Sequence, residues 1–325
     1  MRMKHVLGIV VVLFLTMTIV GALEHLVRPL DCDMYTKAID TFHDMPEDTI
    51  EVIGFGSSHM WRGLNVMEMY EEYGIAAYNY GCNWQHVNTS LLFMEDAFET
   101  QSPKVVLFDC YRANFPLGNV DVNGEVYYTR QLSKKVGRYD YLKQCFGDDV
   151  EKWLTYYVPF IAFHGDWTQI NEDSFKYNSY PRDFRKTMGF VDHETVMSVY
   201  IPRYEELPQK ELGETAIRLL DEMVELCEKN GASLILYIGP YAGAFAYCDA
   251  LERYAEEKNC VFLDLFKVVD EIGLDGYTDY EDADHTNVSG ATKIANYLGK
   301  YIVENYEMTD MRTVENNLWE QALQE

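Results

Sequence analysis

The stretch TIEVIGFGSSHM, Thr49 to Met60, decides the fold. Thr49 to Gly56 is an apolar, β-branched run of the kind that forms a buried strand. It feeds directly into Gly-Ser-Ser-His, and helical spacing follows over Trp61 to Tyr73, with Glu68, Glu71 and Glu72 on the wet face. The same alternation recurs downstream. Strands are expected at Ala76 to Tyr80, Lys104 to Cys110, Ser233 to Gly239 and Val261 to Phe266. Helices are expected at Trp84 to Glu99, Leu212 to Asn230, Ala242 to Lys258 and Ser289 to Tyr306, with Gly231 closing the second of these. Near-continuous apolar strands separated by helices predict an α/β fold, a five-stranded parallel sheet covered on both faces as a three-layer sandwich. In such sheets ligands sit beyond the carboxyl ends of the strands, where Ser57 and Ser58 fall.

Composition agrees with a full-sized globular chain. There are 325 residues, 48% of them hydrophobic, so the chain can bury a complete core. Disorder and small disulfide scaffolds are excluded. With 53 acidic against 27 basic residues, the net charge of −26 repels phosphate backbones, and nucleic acid is not an expected partner. The seven cysteines include no CxxC or other close metal-ligand spacing, so a structural zinc site is not expected, and the serine chemistry read below requires no metal or cofactor. One pair, Cys248 with Cys260, could bridge if the domain lies outside the cytoplasm.

At the N-terminus, Arg2, Lys4 and His5 precede an uncharged run from Val6 to Leu23. That run reaches ~27 Å as a helix, close to the ~30 Å hydrocarbon thickness. Residues 1–24 are therefore expected to be a transmembrane anchor or, alternatively, a signal peptide cleaved near Ala22. Basic residues on the short side keep that end cytoplasmic and place residues 25–325 outside the membrane. Within those residues, 111–211 break the strand–helix alternation and carry 20 aromatic residues, which predicts a mostly helical insertion. It leaves from the carboxyl end of the third strand, a position suited to covering a substrate. Within it, His164 and Asp166 beside Trp167 are candidate sugar contacts. The tail, Met308 to Glu325, is expected to be a peripheral helix or frayed.

Three elements could carry chemistry. Ser58 stands in a strand-to-helix turn at the sheet's carboxyl edge, although Ser57 and Ser58 also suit a helix cap. Gly81 follows the second strand in YNYGCNWQ, Tyr78 to Gln85, where a backbone N–H could face the same edge; a plain turn explains it equally well. Far along the chain, DYEDADHTNVSGATK, Asp279 to Lys293, sets Asp282 one helical turn before His285. A general-base imidazole needs such a carboxylate on its far nitrogen. An acidic loop with a cap at Ser289 is the plainer account, and a cation site at Asp279, Asp282 and Asp284 lacks the glycine and distal glutamate of a calcium loop.

Taken in order along the chain, GSSH in the first strand–helix turn, a glycine turn after the second strand and DxxH before the last helix resemble the SGNH (GDSL-like) hydrolase superfamily. The chain is similar in particular to its membrane-anchored, extracytoplasmic branch, the D-alanyl transfer and polysaccharide O-acetylation proteins of bacterial envelopes. The resemblance covers roughly Asp48 to Cys110 and Leu212 to Tyr306. It implies a flavodoxin-like sheet, Ser58 as nucleophile, His285 as base and Asp282 as its orienting acid, with the Ser58 and Gly81 amides as oxyanion donors. It also implies an esterase or O-acyltransferase acting on acylated envelope carbohydrate, with a membrane-bound O-acyltransferase as a partner, or a non-catalytic envelope protein that keeps the fold for binding. One block departs from the pattern: the third strand ends FDCYRAN, Phe108 to Asn114, without the family's GxND turn. Tyr111, Arg112 and Asn114 are the candidates for the missing donor and for substrate contact, Arg112 suiting a carboxylate or phosphate.

Overall fold

The computed structural model describes residues 2–115, 124–241 and 247–324. Five strands, β1 (Val52–Phe55), β2 (Ala77–Asn79), β3 (Val105–Asp109), β4 (Ser233–Ile238) and β5 (Val261–Asp264), form one sheet in the order β2-β1-β3-β4-β5. All neighbours are parallel, with Val52 opposite both Ala77 and Val105, Val106 opposite Leu234, and Ile235 opposite Val261. This is a doubly wound, flavodoxin-like order. Ile53, Phe55, Val105 to Phe108 and Ile235 to Ile238 are fully buried, which is why the strands lack a polar face.

The helices are α1 (Arg2–Val27), α2 (Asp33–His43), α3 (Ser58–Trp61), α4 (Val66–Tyr73), α5 (Val87–Ala97), α6 (Glu125–Tyr128), α7 (Tyr139–Phe146), α8 (Val150–Tyr157) and α9 (Phe160–Phe163). They continue with α10 (Glu214–Asn230), α11 (Cys248–Lys258), α12 (Val269–Ile272), α13 (Val288–Asn305) and α14 (Leu318–Gln324). Right-handed crossovers fix their layers. The chain moves one way from β1 to β2 and the other way thereafter, so α4 and α13 pack together on one face while α5 and α10 pack on the opposite one.

Several boundaries differ from the sequence expectation. The helix expected over Trp61 to Tyr73 is two helices, because the Asn79 side-chain amide donates to the carbonyls of Met60 (2.8 Å) and Leu64 (2.9 Å) and caps the first one from another strand. The start of the helix expected from Ala242 lies outside the described residues. Helix α2 was not foreseen; its Phe42 stacks on Tyr80 at 4.0 Å and its Ala38 carbonyl accepts from the Tyr78 hydroxyl. The tail ends in α14, whose buried Trp319 donates to the Ala77 carbonyl at 2.9 Å. Together with Met188, whose carbonyl accepts from Asn79 N–H at 2.8 Å, it covers the β2 edge. In the insertion, short helices α6 to α9 give way after Phe175 to irregular chain, so only its first half is helical.

Helix α1 is long and apolar enough, over Met3–Val27, to cross a membrane, its most apolar 18 residues having a mean hydropathy of 2.8. No disulfide joins Cys248 to Cys260, and none is formed by the cysteines among the described residues.

Candidate active site

The site lies at the carboxyl edge of the sheet. As β1 ends, Gly56 turns the chain with φ of +149°, and a side chain there would put its Cβ 2.9 Å from the Asp109 Cβ. Only glycine lets the turn lie against β3 so closely. The expectation of a serine cap falls on Ser57: its hydroxyl faces the first N–H groups of α3 and meets His59 Nδ1 at 3.1 Å. Ser58 is thereby left to point elsewhere. Its Oγ lies 2.8 Å from His285 Nε2, across 227 positions of sequence. The Ser58 N–H, at the first position of α3, has no acceptor among the described residues, as helix starts leave their first donors unpaired.

On the other side of His285, Nδ1 lies 3.0 Å from each carboxylate oxygen of Asp282. A carboxylate can only accept, so Nδ1 carries the proton and Nε2 is free to accept from the Ser58 hydroxyl. The loop organises itself around that carboxylate. Asp282 Oδ1 also accepts from the N–H groups of Asp284 (2.8 Å) and His285 (2.9 Å). Burial alone would raise the Asp282 carboxyl, but those amides and the imidazole outweigh it and hold the group below its usual range. The side chain of Asp282 remains 47% exposed and that of His285 18%, so the pair opens toward solvent. A short antiparallel bridge between Tyr280 and Thr286 closes the base of the loop, and the Asn287 side chain caps α13 directly after it.

Behind Ser58, His59 is buried. Its ring stacks on Tyr111 at 3.5 Å and lies 4.9 Å from the ring of His285. Burial, reinforced by the nearby His285 and Arg112, pushes it far below the ordinary histidine range, so it stays neutral. Beneath the turn, Asp109 ends β3 fully buried, one oxygen accepting from Tyr111 N–H at 3.0 Å and the other unpartnered. Burial drives its carboxyl up to about 7.

The remaining candidates are placed differently. Gly81 reaches the same edge, and its N–H is donated to Asn79 Oδ1 at 3.2 Å. The cause is local: once the Asn79 amide nitrogen is fixed on the Met60 and Leu64 carbonyls, its oxygen is aimed at Gly81. Tyr111 lines the site through its stack with His59, and burial pushes its hydroxyl up to about 12. Arg112 is buried between the rings of Trp84 (4.3 Å) and Phe115 (4.5 Å), with Nη1 2.9 Å from His86 Nε2. Asn114 is structural: it accepts from Gly213 N–H at 2.8 Å and donates to the Glu211 carbonyl, clasping the chain where the insertion ends. His164 sits on the segment packed against α1, with Nδ1 2.8 Å from the Ile161 carbonyl.

Sequence reasoning did not find Glu281. Its buried carboxylate binds Arg62 at 2.6 Å and His193 Nδ1 at 2.9 Å, tying the Asp282–His285 loop to the helix that carries Ser58 and to the insertion. It lies with Asp282 and His285 in a cluster of ligand-type atoms, yet both of its oxygens are engaged by these partners. Asp279, whose spacing to Asp282 and Asp284 does not match a calcium loop, pairs with Lys293 at 2.6 Å and accepts from Ser289 Oγ at 2.8 Å.

No protein-family profile and no curated protein matches the chain. Among solved structures, one similar to it is a candidate acylhydrolase from Bacteroides fragilis, 11% identical, with a TM-score of 0.40 over 82% of this chain and 93% of that one.

Proposed function

We propose that the protein is a serine-dependent esterase or O-acyltransferase of the SGNH type, with Ser58 as nucleophile, His285 as general base and Asp282 as its orienting acid. The observation that carries this reading is the unbroken line of contacts from Ser58 Oγ to His285 (2.8 Å) and on to Asp282 (3.0 Å) at the edge where such sheets bind ligands.

The chemistry follows from the donor set. Ser58 Oγ attacks the ester carbonyl carbon as its proton passes to His285 Nε2, and Asp282 stabilises the imidazolium. The carbonyl oxygen becomes an oxyanion, for which the unpaired Ser58 N–H is the donor at hand. Collapse breaks the ester C–O bond, and His285 returns the proton to the departing alcohol. Water attacking the acyl-Ser58 releases an acid; a sugar hydroxyl in its place forms a new ester. Helix α1, the one helix among the described residues long and apolar enough to span a bilayer, and the basic residues at its start favour anchoring, with residues 25–325 on the extracytoplasmic side and acylated envelope carbohydrate as substrate. A membrane-bound O-acyltransferase is the partner that would supply or receive the acyl group.

One observation favours a second reading. The Gly81 N–H is committed to Asn79, so the oxyanion site has fewer free donors than the SGNH pattern implies, as a non-catalytic envelope protein that only binds a polymer would allow. Hydrolysis of p-nitrophenyl acetate by the intact protein, beside Ser58→Ala, separates the two. The enzymatic reading expects the variant to fall to the solvent background; equal rates would leave the binding reading.

A further inference from the structure

The insertion carries a surface that the reaction does not use. On α8, Val150, Leu154 and Tyr157 lie within about 60° of one another around the helix, at 3.6 residues per turn. Their exposures are 69%, 51% and 59%. Glu151, Lys152 and Thr155 take the other side of α8, and buried Tyr156 joins it to the core. Next along the chain, Ile161, Trp167 and Phe175 are also solvent-facing, the last two 67% and 70% exposed. These six large apolar side chains on one stretch, interspersed with charge, are left uncovered among the described residues.

Its position says what covers it. The elements bearing Ile161, Trp167 and Phe175 pack directly on α1. Val27, in the last turn of α1, is buried with Tyr127 and Phe163. His25 Nε2 meets the Lys176 carbonyl at 2.9 Å. Arg28 donates to the Ser174 and Lys176 carbonyls at 3.0 Å each and forms a buried two-point pair with Asp33 at 2.8 Å. Glu24 binds Arg130 at 2.9 Å. The foot of α1 is thus bolted to the insertion and cannot swing as a free tether. The uncharged run Val6 to Leu23 fills ~27 Å of the ~30 Å hydrocarbon thickness and leaves Glu24 to Val27 at the headgroup level. Elements fastened to His25 through Arg28 then sit at that same level, where Trp, Tyr and Phe are favoured.

We propose that this face of the insertion, from Val150 through Phe175, rests in the lipid headgroup region as an aromatic collar around α1 and fixes the orientation of the domain on the bilayer. The inference rests on α1 being retained as a membrane helix and does not depend on the reaction at Ser58.

The test is tryptophan quenching in the full-length chain reconstituted alone into phosphatidylcholine vesicles, with bromine placed on the acyl chains close to the headgroup. Wild type and Ser58→Ala are expected to be quenched equally, and Trp167→Phe is expected to lose more than half of that quenching. Quenching that is absent, or equal in wild type and Trp167→Phe, would overturn the proposal, as would shielding of Trp167 by self-association of the chain.

Discussion

The sheet and the insertion solve the same problem of burial by different means. In the sheet, strand periodicity suffices: each apolar run finds a parallel neighbour, and Ser58, Asp282 and His285 meet at the carboxyl edge on the turn that ends β1 and the loop between α12 and α13. In the insertion, regular structure is short and cohesion comes from side chains that reach distant backbone, as Arg28 does to Ser174 and Lys176, Lys37 to the Tyr180 carbonyl and Asn178 to that of Asp33. Periodic structure places chemistry locally, whereas irregular structure depends on a few buried polar clasps. The two regions should therefore fail differently when single residues are changed.

The largest effect is expected in the first region and on rate alone. Asp282→Asn keeps the loop's shape but loses the charge that selects the His285 tautomer, so ester hydrolysis should drop by about 10³- to 10⁴-fold. The thermal midpoint should hardly move; a matched loss of stability would show that the loop is structural first. In the second region the reverse is expected. Arg28→Ala leaves the buried Asp33 carboxylate without its partner, a loss of about 3–5 kcal/mol when one member of a buried pair is removed. Denaturant unfolding in detergent should show that loss while the rate per folded molecule stays unchanged.

A smaller effect sharpens the boundary between packing and chemistry. Asp109 has a folded value of about 7 against an ordinary 3.8, so the folded state holds a proton that the unfolded chain releases between those values. Stability contributed by this group therefore falls as pH rises from about 4 to about 7 and is level above that. Asp109→Asn should flatten the slope, seen by comparing denaturation midpoints at about pH 5 and about pH 8. An unchanged slope would mean the carboxyl is ionised throughout.

How much of this was legible in the sequence follows the same division. All five strands stand in the sequence as apolar runs, and Ser58, Asp282 and His285 are readable because each lies in a local pattern: a strand end, and a carboxylate one turn before an imidazole. What escaped was set by long-range pairing. The break between α3 and α4 comes from Asn79, on a different strand, and the same side chain takes the Gly81 N–H. Glu281 beside the site meets Arg62 across 219 positions, which no spacing announces. Asn114 and His164 carry the right side chains for substrate contact, but the fold spends one as a clasp and sets the other beside α1. In the tail, Trp319 is buried against Ala77, although its neighbours are polar enough to suggest fraying.

The central claim is that Ser58 is made nucleophilic by His285, and covalent trapping measures that directly. A fluorophosphonate should add to the intact protein once, with the modified peptide bearing the adduct on Ser58 and not on Ser57. Labelling should vanish in Ser58→Ala and slow severely in His285→Ala. Undiminished labelling in either variant, or an adduct on Ser57, would contradict the account.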